Sequence, residues 1–159
     1  MSFGPGDGLP TSGRLLAVDP GSVRLGTALS DPAQVLASPG RTLPVDDQDD
    51  VAAVAADVAV HVGALVADEQ PVAAIVVGWP RDMRGREGAN ASRARRLADA
   101  LREATGLPVA LWDERLSTVE AERLMISGDA SRATRRAEID RVAAAIILRG
   151  VLDAQRTRR

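Results

Sequence analysis

Short apolar runs and helical stripes alternate along this chain, and their order predicts its elements. Leu15-Leu16-Ala17-Val18 reads as a strand over residues 14–19, and after a Gly-containing turn residues 25–31 read as its hairpin partner. A third strand is expected around 35–43, giving an antiparallel start. Asp46-Asp47-Gln48-Asp49-Asp50 caps a helix to about residue 68, with acids favourable at its N-terminus. Residues 72–77 form a β-branched run without polar alternation, as in a strand buried on both faces, and the run stops at Gly78-Trp79-Pro80. Ala94, Leu97, Ala98 and Leu101 have helical spacing within 91–105, ahead of Gly106. Residues 108–112 supply the next central strand. Ser117-Thr118-Val119-Glu120 is a capping box that starts a short helix ending near Gly128. A flexible Arg-rich connector over 129–137 then leads to a last helix through about residue 154.

The order is therefore βββαβαβα plus a final helix: a mixed five-stranded sheet, antiparallel hairpin set first and parallel strands after, flanked by helices. That is an α/β fold of ribonuclease H-like topology. Residues 1–13, rich in Gly, Pro and Ser, read as a disordered leader, 14–154 as a single domain and 155–159 as a basic tail.

Composition narrows the chemistry. The 159 residues are 45% hydrophobic but only 2% aromatic, so the core is built from Ala, Val and Leu. The absence of Cys excludes a disulfide framework and a thiolate metal site, and suits a reducing cytosol. No apolar stretch reaches membrane-spanning length, and the N-terminus lacks a signal-peptide layout, so a cytoplasmic protein is expected. Residues 1–80 hold three Arg against ten acids and residues 81–159 hold 17 Arg against 12, so one half of the molecule is fitted to meet phosphate.

Three acids from three kinds of element stand out. Asp19 ends the first strand and opens Asp19-Pro20-Gly21, where Gly21 lets a metal and a phosphate approach closely; an ordinary hairpin turn has the same letters. Glu114 follows a buried strand, where ligands gather in open α/β sheets; Asp113 beside it could instead wet the loop or orient Arg115. Asp140 heads a stripe of Ala143, Ala144, Ile147 and Val151, which is costly unless the acid is paired or metal-bound, although a first-turn acid also suits the helix dipole. Converging carboxylates with no Cys and one His offer hard oxygens, the donor set of Mg²⁺ or Mn²⁺ rather than Zn²⁺. Arg24 lies one turn beyond Gly21, positioned for a phosphate oxygen. Arg81, Arg84, Arg86 and Arg132, Arg135, Arg136 form basic clusters that solvation of helices explains poorly. Trp79 could stack a base or pack on the core. Asp31 has the look of a turn residue, and His61 of a packing or surface residue.

With these motifs in place, the chain resembles the YqgF/RuvX family, provisionally described as pre-16S rRNA nucleases and as Holliday-junction-resolvase-like. The resemblance runs from Arg14 to about Leu152. Its motifs are Leu16-Ala17-Val18-Asp19-Pro20-Gly21-Ser22-Val23-Arg24-Leu25-Gly26, Val77-Gly78-Trp79-Pro80, Asp113-Glu114-Arg115-Leu116-Ser117-Thr118 and Ile139-Asp140-Arg141-Val142-Ala143. Trp79 stands where the family has Leu. The resemblance implies a divalent-metal nuclease maturing the 5′ end of 16S rRNA in the cytoplasm, with Asp19, Glu114 and Asp140 as catalytic and metal-binding acids. Arg24, Arg81, Arg84, Arg86, Arg115, Arg132, Arg135 and Arg136 are the expected nucleic-acid contacts. The expected partners are pre-rRNA and ribosomal particles, with branched DNA as the alternative substrate, and no membrane. The protein would act as a monomer or homodimer. Two competing readings are a Holliday-junction-type DNA endonuclease, which needs a dimer, and a non-catalytic RNA-binding module on the same fold. A sugar-kinase- or actin-like ATPase would need two such domains, and this chain has room for one.

Overall fold

The computed structural model describes residues 8–81, 84–114 and 132–157, with side chains in the last segment from residue 141 onward. Its elements in order are β1 (Arg14–Pro20), β2 (Arg24–Ser30), β3 (Ala37–Pro44), α1 (Val51–Ala67), β4 (Val72–Trp79), α2 (Ala89–Thr105), β5 (Val109–Asp113) and α3 (Arg132–Thr157). The strands form one sheet in the order β3-β2-β1-β4-β5. β1 pairs antiparallel with β2 and parallel with β4, β2 pairs antiparallel with β3, and β4 runs parallel to β5. This is the mixed ribonuclease H-like sheet that the residue pattern predicts. The short helix expected over 117–128 lies outside the described residues.

Alternation along the central strands divides the core into two layers. Leu16, Val18, Ile75, Val77 and Leu111 pack with α1 and α2 on one face. Leu15, Ala17, Ala74, Val76 and Ala110 pack with α3 on the other, against Ala144, Ile147, Leu148, Val151 and Leu152. Leu15, Leu16, Leu101, Ile147 and Leu148 are essentially inaccessible, each removing apolar surface worth about 1.5–3 kcal/mol. α1 begins where expected, because the Asp50 carboxylate accepts a hydrogen bond from the Ala53 N–H. α2 ends at Gly106 in a left-handed conformation, with its N–H bonded to the Arg102 carbonyl.

Three boundaries differ from the sequence reading. β3 starts at Ala37 rather than near residue 35. The N–H groups of Val35 and Leu36 are taken by the Asp31 carboxylate at 2.7 and 2.9 Å, which makes these residues part of a turn. α3 begins at Arg132, so Arg132, Arg135 and Arg136 stand on its first turns and not on a flexible connector; Arg and Ala are strong helix formers, and nothing in that stretch breaks the helix. Within the stretch read as a leader, Leu9 packs into the α3-side core. Gln34 donates from Nε2 to the carbonyls of Pro10 and Gly13, both at 3.0 Å, and Gln155 donates to the Pro10 carbonyl at 3.0 Å.

Gln34 is 2% exposed and adopts a φ of 58°. Gln34→Ala removes the side-chain donor to the Gly13 carbonyl and one of the two donors to the Pro10 carbonyl while leaving the sheet alone, and is expected to lower unfolding free energy by about 1–3 kcal/mol. Urea denaturation checks this; a variant as stable as the wild type would mean that the 8–13 segment adds nothing to the fold.

Candidate functional site

The alternation that sorts the core also sorts the acids. Leu15 and Ala17 face α3, so Asp19, two residues further, continues that face at the carboxyl end of β1. Ala74 and Val76 place Gly78 on the same face of β4, and Ala110 with Trp112 does the same for Glu114 just past β5. Asp113 falls on the opposite face by the same count. Gly78 sits between the two acids: a Cβ there would lie 2.5 Å from Glu114 Oε2, 3.2 Å from Asp19 Oδ1 and 2.9 Å from the Cδ1 of Ile147. The carboxyls of Asp19 and Glu114 therefore meet over a backbone position that has room for no side chain. The turn after Asp19 is as tight, since a Cβ on Gly21 would stand 2.3 Å from the Arg24 carbonyl oxygen.

Burial pushes the Glu114 carboxyl above its ordinary range; a hydrogen bond with the Asp19 side chain works against that rise, and the Asp113 charge adds to it. Two acids that share a hydrogen bond in a half-dry site form a proton-holding pair, and a divalent cation could replace that proton. The donor set is carboxylate oxygen from two elements that already meet, and so the residues fit Mg²⁺ or Mn²⁺. Among the described residues no group of three or more His, Cys, Asp or Glu comes together; the side chain of Asp140 lies outside them. The backbone puts Asp140 on the α3 stripe shared with Ile147, two turns nearer the carboxyl ends of the strands. The helix orientation is fixed by Gln155 at Pro10, before β1, and by Arg141, whose Nε donates to the Gly40 carbonyl at 3.1 Å.

The basic loop after β4 is internally organised. Arg81 donates from Nε and Nη2 to the Gly85 carbonyl and pairs with Asp113 at 3.6 Å. The guanidiniums of Arg81 and Arg95 lie 4.5 and 4.7 Å from the Trp79 ring centroid. Trp79 itself is 7% exposed. It is a packing residue, closed to base stacking, and Arg81 braces the loop that leaves β4. Asp113 thus engages Arg81; Arg115, which it was expected to orient, lies outside the described residues. Arg84 and Arg86 are exposed on the same loop, and Arg24 opens β2 half-buried at the Asp19 end of the sheet. His61 is buried, and burial followed by the Arg41 charge lowers its pKa, in keeping with packing. Gly78 is the site residue that residue-type reasoning passed over. Its signal was a glycine closing an otherwise β-branched buried run.

Two outcomes follow from the acid pair. For Glu114, a folded pKa above the ordinary 4.5 means the native state holds more protons than the unfolded chain between those values, so stability falls as pH rises through that window. In EDTA, the wild type is expected to lose stability upward from about pH 4.5, and Glu114→Gln to flatten that slope in urea titrations; an unchanged slope would place the effect elsewhere. Gly78→Ala drives a methyl into the pair and against Ile147, and is expected to cost about 1–3 kcal/mol. Unfolding free energy within about 0.5 kcal/mol of wild type would mean the gap over Gly78 is not tightly set.

The family model described as RuvX, Holliday junction resolvase, matches residues 13–154. A protein of Geobacillus kaustophilus, provisionally named a pre-16S rRNA nuclease, is 43% identical over 143 residues, covering 90% of this chain and 99% of that protein. One of Myxococcus xanthus with the same name is 42% identical over 147 residues, covering 90% of this chain and 89% of its own length. Among solved structures, Thermus thermophilus RuvC aligns at a TM-score of 0.48 and 18% identity, covering 91% of this chain and 95% of that one. Matched by that family model over nearly all of its length, and by relatives above 40% identity that it spans almost from end to end, the chain belongs to the RuvX family.

Proposed function

We propose that this protein is a divalent-metal-dependent nuclease that hydrolyses phosphodiester bonds in structured RNA, processing the 5′ end of pre-16S rRNA in the cytoplasm. The observation that carries the reading is the meeting of Asp19 and Glu114 over Gly78, at the carboxyl ends of strands on either side of β4. The names of its relatives supply the substrate class. Asp19, Glu114 and Asp140 would hold Mg²⁺ or Mn²⁺. The chemistry that bound divalent ions supply is activation of water and neutralisation of the departing oxygen. The chain's own part is to bring carboxylates from separate elements to one point and to keep that point free of side chains. Arg24, Arg84, Arg86, Arg115, Arg132, Arg135 and Arg136 would hold flanking phosphates, while Arg81 keeps the β4 loop in shape. Ribosomal particles are the setting this substrate implies.

A second reading, cleavage of four-way DNA junctions by the same acids in a dimer, draws support from the family model's description. Purified protein with Mn²⁺ is to be assayed on a pre-16S 5′-leader RNA and on a four-way DNA junction. Cleavage of the RNA is expected. Cleavage of the junction alone would favour the second reading, and tight RNA binding without cleavage would make the protein a binding module. Asp19→Asn is nearly isosteric, and is expected to keep the thermal transition while losing about a hundredfold or more in cleavage. Loss of the transition together with activity would make Asp19 a structural residue.

A further inference from the structure

On the α1/α2 side of the same sheet edge lies a groove of about 420 Å³ that meets the acid pair only at Glu114. Its floor is aliphatic: Leu25, Val45, Val51, Val54 and Leu97. Its rim carries two side-chain amides, Gln48 and Asn90, and the guanidinium of Arg93. Pro20, Gly21, Pro80 and Glu114 close the end towards the acids, so one residue, Glu114, belongs to both the groove and the catalytic pair. Arg93 is held in place by Asp49 at 3.0 Å and by Asn90 Oδ1 at 2.7 Å. The first turn of α2 stands beside this rim, and its N-cap, Gly88, supplies no side-chain acceptor.

We infer that this groove takes an unpaired nucleobase of the substrate strand, with its phosphodiester passing over the sheet edge to Asp19 and Glu114. The inference rests on the nuclease reading and adds the state of the substrate at the cut. A nucleobase is apolar on its faces and polar along its edge, which is the distribution the groove offers. Gln48 presents both a donor and an acceptor, and Asn90, whose Oδ1 already accepts from Arg93, adds its amide donors, so the rim can meet either kind of base edge. The volume lies in the usual range of small-ligand sites, about 300–1,000 Å³. An aliphatic helix or peptide side chain would satisfy the floor but not the two amides and the arginine. Uncapped N–H groups at the start of α2 favour a phosphate at that end. A base held there must leave any duplex it belonged to, which costs least when it is already unpaired. Cleavage should therefore fall in single-stranded or bulged RNA.

The test is nuclear magnetic resonance of the full chain in EDTA, following the methyls of Val45, Val51 and Val54 while titrating adenosine 5′-monophosphate or ribose 5-phosphate. Saturable shifts with the nucleotide and none with the sugar phosphate are expected. Val51→Trp, filling the floor, should remove them, and Gln48→Ala should weaken binding about fivefold. Equal shifts with both compounds, or none at these methyls, would overturn the inference even if the enzyme cleaves RNA. Nucleotide shifts in a protein that cleaves nothing would keep the groove and sink the nuclease reading.

Discussion

Two carboxyls held together over a glycine are the constraint from which the sheet edge takes its form. Burial and a neighbouring charge make ionisation of Glu114 unfavourable, and the hydrogen bond with Asp19 relieves part of that cost. The arrangement can persist only if no side chain intrudes, and β4 meets that condition by ending its buried run with Gly78. The neighbours of the pair are hard rather than adaptable: Ile147 comes from the fully buried stripe of α3, and the Gly21 turn is closed against the Arg24 carbonyl. A protein with this edge stores unfavourable electrostatics at one point and spreads the compensation through two core layers.

The two faces of the sheet then take different work. The α3 face brings the acids together and orients the helix that carries Asp140. The α1/α2 face carries the aliphatic groove and the braced loop after β4. Trp79 links the two arrangements. It ends β4 one residue after Gly78, points to the opposite face, and lies under Arg81 and Arg95. Arg81 in turn pairs with Asp113, the residue before Glu114. The end of β5, which leads into Glu114, is thus tied on the reverse side to the end of β4, which carries Gly78, by an arginine–tryptophan–aspartate contact chain.

Residue-type reasoning located the strands, the described helices and both acids of the observed pair, because those signals are local. Asp19 and Glu114 each end an apolar run, and Asp50 sits where a cap belongs. The choice between Asp113 and Glu114 was also open to counting, since strand period two assigns them opposite faces. Other features were not local. Nothing in Gln34 or Gln155 announces that both donate to Pro10, twenty-four residues before the first and 145 before the second. Arg81 looked like a phosphate ligand because its charge was visible and its partners, Gly85 and Asp113, were not. The start of α3 is not legible either, because an arginine cluster resembles a binding loop although the same residues are good helix formers.

The sequence by itself determined which residues could be strand, helix or turn, which face of each strand was apolar, and that its acids offer hard oxygen donors. Those properties follow from side-chain period and donor type, which are written residue by residue. The tertiary structure decided which acids meet. Convergence depends on strand order and register, with β4 inserted between β1 and β5, so that a glycine rather than a side chain lies between the two carboxyls. It also decided that the aliphatic residues of β2, α1 and α2 leave a groove at the same edge, because a cavity is a property of how surfaces fail to close and no single residue encodes it.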